Sequence, residues 1–383
     1  MKRIVFLFVA LVTVVSYAAE TYLEDGYSQT VYQGTWCGGA LKVYFRKSRD
    51  GQTVFLGNWY PSTGKAIWGS NSTNITLDSS VSSTYKIGRV AERAFQFFDF
   101  GKPTTVTVPN SIESYVIPTT MFNDCKNLVA LRIYKNMNLS HEFFNGIVDL
   151  KEIYVDSANA YNTSYDGLLY NKEKTKLLCC PEGRTGAVSL PTGVTEIGEG
   201  AFVDSLITSV EIPDSVTEIG WSAFGNCINL TTVKLPPRIN SILPWTFQGT
   251  AIEELVIPDG VADIGWYAFR YCDKLRQIVM PESLKSLDIE ALQGATNVTV
   301  FFKGGVPKAI PQFGVDKFDK ISGVYSAKHA AEWRSVVTDG KWKNMSMRQF
   351  EATVTFNLGE QGSRIGGGLL TQTVEHHGLS CHS

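Results

Sequence analysis

Four side chains that metal ions favour stand close together in "EHHGLSCHS": His376, His377, Cys381 and His382. Imidazoles and a thiolate make up many tetrahedral zinc sites. No strand or helix pattern in this tail would orient them, so the cluster reads as incidental and no metal is assigned. "HEFFN" at His141 lacks the second histidine that a zinc-protease helix needs. "GWSAFG" around Ser222 misses a nucleophile elbow by one residue. A repeat described below accounts for every residue of it. No glycine-rich phosphate loop follows a strand-like run. Catalytic residues and cofactors are therefore expected to be none.

A different chemistry is carried by Trp221, Trp245, Trp266 and Tyr267. Large aromatic side chains at solvent mark contact sites more often than charges do. Sideways packing on neighbouring coils is their other available role. A second group, Arg132, Tyr154, Glu211, Lys234, Glu254 and Gln277, lies at the outward positions of strand candidates. Its mixed polarity suits a protein ligand, although any solvated sheet carries similar residues.

Both groups sit within a repeat. Aligned on "AF", the chain gives Phe202, Phe224, Phe247 and Phe269, with Leu292 in the same slot, at spacings of 22, 23, 22 and 23. Pro191, Pro213, Pro236, Pro258 and Pro281 each lead by eleven residues, and weaker copies centre on Phe95, Phe122 and Phe144. Such a period predicts a solenoid of about eight coils, one supersecondary unit per turn. In "LTTVKLP", Val233 and Leu235 alternate with Lys234, the pattern of a half-buried strand that proline ends. "VTEIG" crosses the opposite side with Val216 and Ile219 inward. The phenylalanines then form one shared interior column, each burial worth roughly 1.5–3 kcal/mol. Gly198, Gly220 and Gly265 are read as close-packing positions, because Pro118 fills that slot in an early copy and proline fixes φ near −65°.

The pattern Pro213…Val216…Ile219-Gly220…Ala223-Phe224…Cys227…Leu230…Val233…Leu235-Pro236 resembles the BspA-like (Treponema-type) leucine-rich repeat family. The resemblance covers roughly residues 87–300. It implies a mainly β solenoid with short helical or 3-10 turns, and relatives that bind host matrix proteins or other cells. The excess between Phe144 and Phe202 looks like the family's hairpin-bearing insertion, and "GLLY" and "KLLCC" flank the polar turn "NKEKT" as a β-hairpin would. Departures from the motif are Leu243-Pro244 for Ile-Gly, Thr250 for Cys and Leu292 for Phe.

The flanks complete the organisation. Residues 1–18 carry Lys2 and Arg3, an apolar run and small residues at Ser16 and Ala18, which reads as a cleaved export signal. Without it the formal net charge falls from −2 to −4, which argues against a nucleic-acid partner. Residues 19–85 form a β-rich N-terminal cap, or alternatively place Tyr22, Trp36, Trp59 and Trp68 on a sugar-stacking face. The repeats run over residues 86–303, with the insertion at about 157–187. Residues 304–350 close the far end with a short helix, Trp333 and Trp342, and residues 351–383 read as a truncated β module or disordered tail. Coils rise by about 4.8 Å each, so Cys227 and Cys272, two coils apart, exceed the roughly 7 Å limit for a disulfide. With Cys125 they are read as buried thiols, while Cys37, Cys179, Cys180 and Cys381 stay open. These features predict a secreted or surface-exposed bacterial protein used in recognition or adhesion, with no membrane span in the mature chain. A structural spacer in a larger secreted protein is the rival reading and a hydrolase the third. Sequons at Asn74 and Asn229 matter only in a glycosylating host.

Overall fold

Val188, Val210, Leu255 and Ile278 are at most 5% exposed, and each lies on a parallel-paired strand, Val188 opposite Val210 and Leu255 opposite Ile278. The computed structural model describes residues 32–36, 41–49, 52–56, 67–68, 72–81, 85–90, 94–95, 98–112, 117–288, 290–310, 321–343, 345–350, 354–356 and 372–374. The export signal, Tyr22, Cys37, Trp59, Cys381 and the histidine-rich tail lie outside the described residues, as do the side chains of Trp36 and Trp68.

Each coil contributes two strands. The longer ones pair in parallel within three successive sheets. Asn74–Thr76, Asp99–Val108, Lys126–Ile133 and Glu152–Val155 form the first, and Thr185–Ser189, Leu206–Glu211 and Thr232–Val233 the second. Glu254–Val256, Gln277–Met280, Val298–Phe302, Ile321–Ser326 and Met345–Phe350 form the third. The chain thus makes about 10 turns, more than the eight repeats count, because the ladder continues through stretches without the "AF" motif. Past each strand, the carbonyls of Pro191, Pro213, Pro258 and Pro281 accept from the N–H three residues on. Proline therefore both ends the strand and opens the turn. The opposite row is built of short strands such as Glu196–Ile197, Glu218–Ile219, Ser241–Ile242 and Asp263–Ile264.

Register corrects one reading. Ile242 pairs with Ile264, so Ile242-Leu243, not Leu243-Pro244, stands in the Ile-Gly place. The glycine of that place is demanded by contact. A Cβ on Gly220 would lie 2.5 Å from the Glu199 backbone nitrogen, and one on Gly198 2.8 Å from the Leu177 carbonyl oxygen.

Inside, the rings of Phe202, Phe224, Phe247 and Phe269 stack at 4.9, 5.3 and 5.7 Å with interplanar angles of 11°, 3° and 2°. Their backbone N–H groups donate to the carbonyls of Ala223, Thr246, Ala268 and Ala291 on the next coil. The thiols of Cys125, Cys227 and Cys272 donate to the carbonyls of Phe95, Phe202 and Phe247 at 3.1, 2.9 and 3.1 Å. Burial pushes Cys227 up to about 12 and Cys272 to about 11. At neutral pH these thiols are protonated donors and poor nucleophiles. Cys179 and Cys180 are likewise free and buried.

The column is not single, which corrects the expected shared interior. Phe95, Phe122, Phe143 and Phe144 belong to one apolar core and the four stacked rings to another. In the first core Phe122 stacks on Phe95 at 5.1 Å and meets Phe143 on the next coil at 6.1 Å, with Phe144 a further 5.1 Å from Phe143. Between the cores stands the insertion hairpin, Leu168–Asn171 antiparallel to Lys176–Cys179. Leu168, Tyr170 and Leu177 face the second core, and Leu169 and Cys179 the first. The hairpin is therefore a septum, apolar on both faces. A further strand, Asn162–Tyr165, joins it through Asp166 and Gly167, both at positive φ, the residues a tight hairpin turn prefers. At the far end Trp333 is fully buried, donates to the Gly304 carbonyl at 3.1 Å and meets Trp342 at 5.4 Å.

Candidate functional site

Two columns of left-handed backbone run along the turns. Gly200, Ser222, Trp245 and Tyr267 form one, with φ of 61°, 50°, 56° and 58°. Asp124, Gly146, Asp204, Asn226, Gly249, Tyr271 and Gly294, each two residues after the "AF" slot, form the other. Asp, Asn and Gly tolerate this region, whereas a bulky residue pays roughly 1–2 kcal/mol there. Trp245, Tyr267 and Tyr271 hold it nonetheless. Hydrogen bonds between coils fix them: the Trp245 N–H donates to the Trp266 carbonyl and the Tyr271 N–H to that of Gln293.

These aromatics make one surface. Trp221 lies 6.0 Å from Trp245 and 6.5 Å from Trp266, Trp245 lies 4.1 Å from Trp266, and Trp266 lies 5.2 Å from Tyr267. The Arg270 guanidinium then bridges the rings of Tyr267 and Tyr271 at 4.3 and 4.4 Å, a cation–π geometry. Trp221 is 44% exposed and Tyr271 51%. The tryptophans pack on one another, with Trp221 exposed and Trp245 and Trp266 half-buried. Neither Arg270 nor Tyr271 was singled out by sequence. The signal was available, since tyrosine stands at Tyr271 where other copies carry Asp, Asn or Gly.

The strand-side residues divide. Arg132 and Tyr154 are register partners, both exposed, and Tyr134 joins them 5.6 Å from Tyr154. Lys234 stands exposed just past the strand Thr232–Val233, and Glu254 is half-buried at the start of the strand Glu254–Val256. Glu211 accepts from the Ser189 hydroxyl at 3.0 Å, and Gln277 is half-buried beside Glu254. They form no single cluster.

A cavity of about 640 Å³ lies where the insertion rejoins the repeats, lined by His141, Val148, Glu182, Glu199, Val203 and Asp204 among others. Glu182 accepts from the Gly146 N–H at 2.5 Å. Burial first, then the charges of Asp204 and Asp124, hold its carboxyl up at about 7 against that hydrogen bond. Asp204 accepts from the Asn226 amide at 3.0 Å. At the other end of the aromatic surface, Glu290 is 2% exposed, and burial together with the Glu290 charge raises the Tyr267 hydroxyl. Its neighbour Asp288 is pushed up to about 6 by burial and by the Glu290 charge.

The sequence model of the BspA-type leucine-rich repeat region matches residues 69–166 and 187–319, in 6 copies. The chain belongs to that family. Among solved structures, the leucine-rich repeat solenoid is similar to the pneumococcal vaccine antigen PcpA, at 17% identity over 84% of this chain and 99% of that one, with a TM-score of 0.51. A leucine-rich cell surface protein of Faecalibacterium prausnitzii A2-165 matches at 18% identity over 82% and 99%, TM-score 0.40. The leucine-rich repeat protein of T. pallidum matches at 16% over 78% and 94%, TM-score 0.23. Comparison with curated proteins gives no match. The PcpA likeness shows the fold alone. Among the described residues no helix of these repeats is long and apolar enough to cross a membrane, and no group of three or more His, Cys, Asp or Glu is arranged to hold a metal ion.

Proposed function

We propose that this chain is an exported, non-enzymatic recognition protein of the bacterial surface, and that the turn-side aromatics from Trp221 to Tyr271 contact a protein partner. The observation that carries the reading is the left-handed backbone at Trp245, Tyr267 and Tyr271. Gly200, Asp204, Asn226, Gly249 and Gly294 fill equivalent positions on other coils with residues that tolerate this backbone, and strained positions that persist are drawn toward binding surfaces. Tryptophan, tyrosine and arginine are also the residues that dominate contact energies in interfaces. The family's repeats supply the rigid frame such a surface needs.

The test is a double variant, Trp221→Ala with Trp266→Ala, beside the parent protein on immobilised host matrix proteins and on whole cells. Loss of binding with an unchanged melting temperature supports the reading. Equal binding by parent and variant on every surface overturns it. A spacer role draws on a separate observation. Among the described residues, the last strand of the third sheet, Met345–Phe350, meets only the two-residue strand Lys341–Trp342 on its far side, an edge on which a further module can stack.

A further inference from the structure

The aromatic surface and the cavity are continuous. Ile197 pairs with Ile219, so Glu199 in the cavity wall and Trp221 occupy equivalent positions on adjacent coils, about one strand spacing, or ~4.8 Å, apart. The Gly200 N–H donates to the Trp221 carbonyl at 2.9 Å, and Ser222 lines the cavity itself. The cavity is lined from both sides of the insertion, by His141, Asn145 and Val148 before it and by Glu199, Val203 and Asp204 after it. Its walls carry apolar groups, Val148 at 53% exposure with Val203 and Leu206, beneath the carboxylates of Glu182, Glu199 and Asp204. Among the described residues no lysine or arginine forms an ion pair with any of the three.

We infer that this cavity seats the cationic side chain of a lysine or arginine on the protein partner, whose neighbouring residues then cross the tryptophan surface. The inference rests on the reading above and specifies its partner's chemistry. A basic side chain matches both parts of the wall, with methylenes on Val148, Val203 and Leu206 and a charged head on the carboxylates. Trp221, exposed one coil from Glu199, offers a cation–π face to a basic segment that leaves the cavity. The neighbouring rings cross at 66°, 89° and 57°, which leaves notches for side chains and no flat platform for a sugar. Charge linkage supports the same occupant. Glu182 is faced by Asp204 and Asp124, with His141 and Glu199 lining the same space and the Gly146 N–H on one oxygen. A bound cation favours the ionised carboxylate, so binding releases a proton and strengthens as pH rises through about 7.

The full chain is titrated calorimetrically with Nα-acetyl-arginine amide and, in parallel, with its neutral isostere Nα-acetyl-citrulline amide. The arginine compound is expected to bind saturably, with proton release detected by comparing buffers of different ionisation enthalpy, and the citrulline compound more than about tenfold more weakly. Glu182→Gln and Asp204→Asn should each weaken the arginine compound by roughly the same factor. Glu199→Gln, at an exposed position, gives a second variant that leaves the fold intact. Equal binding of both compounds, no binding of either, or full arginine binding by all three variants overturns the inference. If Trp221→Ala with Trp266→Ala loses surface binding while Glu182→Gln and Asp204→Asn keep it, the recognition reading stands and the cation seat falls.

Discussion

The same coils carry two sets of aromatic rings, one inside and one outside, arranged by different rules. The interior phenylalanines are nearly parallel, at 11°, 3° and 2°. The exterior tryptophans cross at 66°, 89° and 57°. Inside, one residue type recurs at one phase of the repeat, so translation along the rod copies its orientation. Outside, Trp221 and Trp266 use one position, and Trp245 and Tyr267 the next, where the backbone is left-handed. The interior order is thus a product of the repeat, and the exterior disorder of angle is a choice that the repeat leaves free.

Phe224→Ala attacks the interior and should give the largest loss, about 3–5 kcal/mol for a large-to-small change in a packed core, read as a lower denaturant midpoint. Gly220→Ala tests whether coil spacing sets that order. Its Cβ meets Glu199 backbone at 2.5 Å, and roughly 1–3 kcal/mol of destabilisation is expected from forced separation of the coils. Asp288→Asn bears on the end of the exterior surface. Asp288 is raised from 3.8 to about 6, so the folded state holds its proton more tightly than the unfolded chain. The wild type should lose stability as pH rises through that window and stay at the lower level above it. The variant should show a flatter dependence of melting temperature on pH there and greater stability above pH about 6. Tyr271→Asn should have the smallest effect, within about 1 kcal/mol, because relief of left-handed strain offsets the lost stack on Arg270. Thermal melts resolve it, and a loss like that of Phe224→Ala would erase the distinction between the two sets.

Much of the interior was legible beforehand because each coil states it again: proline at the strand end, glycine at the close approach, phenylalanine in the column, cysteine beneath it. Places where one copy departs from the others were harder. Ile242-Leu243-Pro244 offers two alignments, and only the pairing of Ile242 with Ile264 chooses between them. The double phenylalanine Phe143-Phe144 hides which ring meets Phe122. "GLLY" and "KLLCC" are apolar at successive positions, the mark of a strand buried on both faces, a hint that the hairpin divides the interior. Asp166-Gly167 also marked a second hairpin turn. Tyr271 was visible as an anomaly in an Asp, Asn and Gly column. The cavity was not legible, since Val148, Glu182 and Asp204 converge only after the insertion folds back, and no local pattern encodes that approach.

The septum has a mechanical consequence. Under tension applied to its two ends, a rod with one continuous interior yields as a single unit or peels coil by coil. Here the hairpin from Leu168 to Cys179 gives each half its own inner wall, so either half can rupture while the other stays sealed. Stretched from its two ends, the chain would then extend in two separate events, one for each interior.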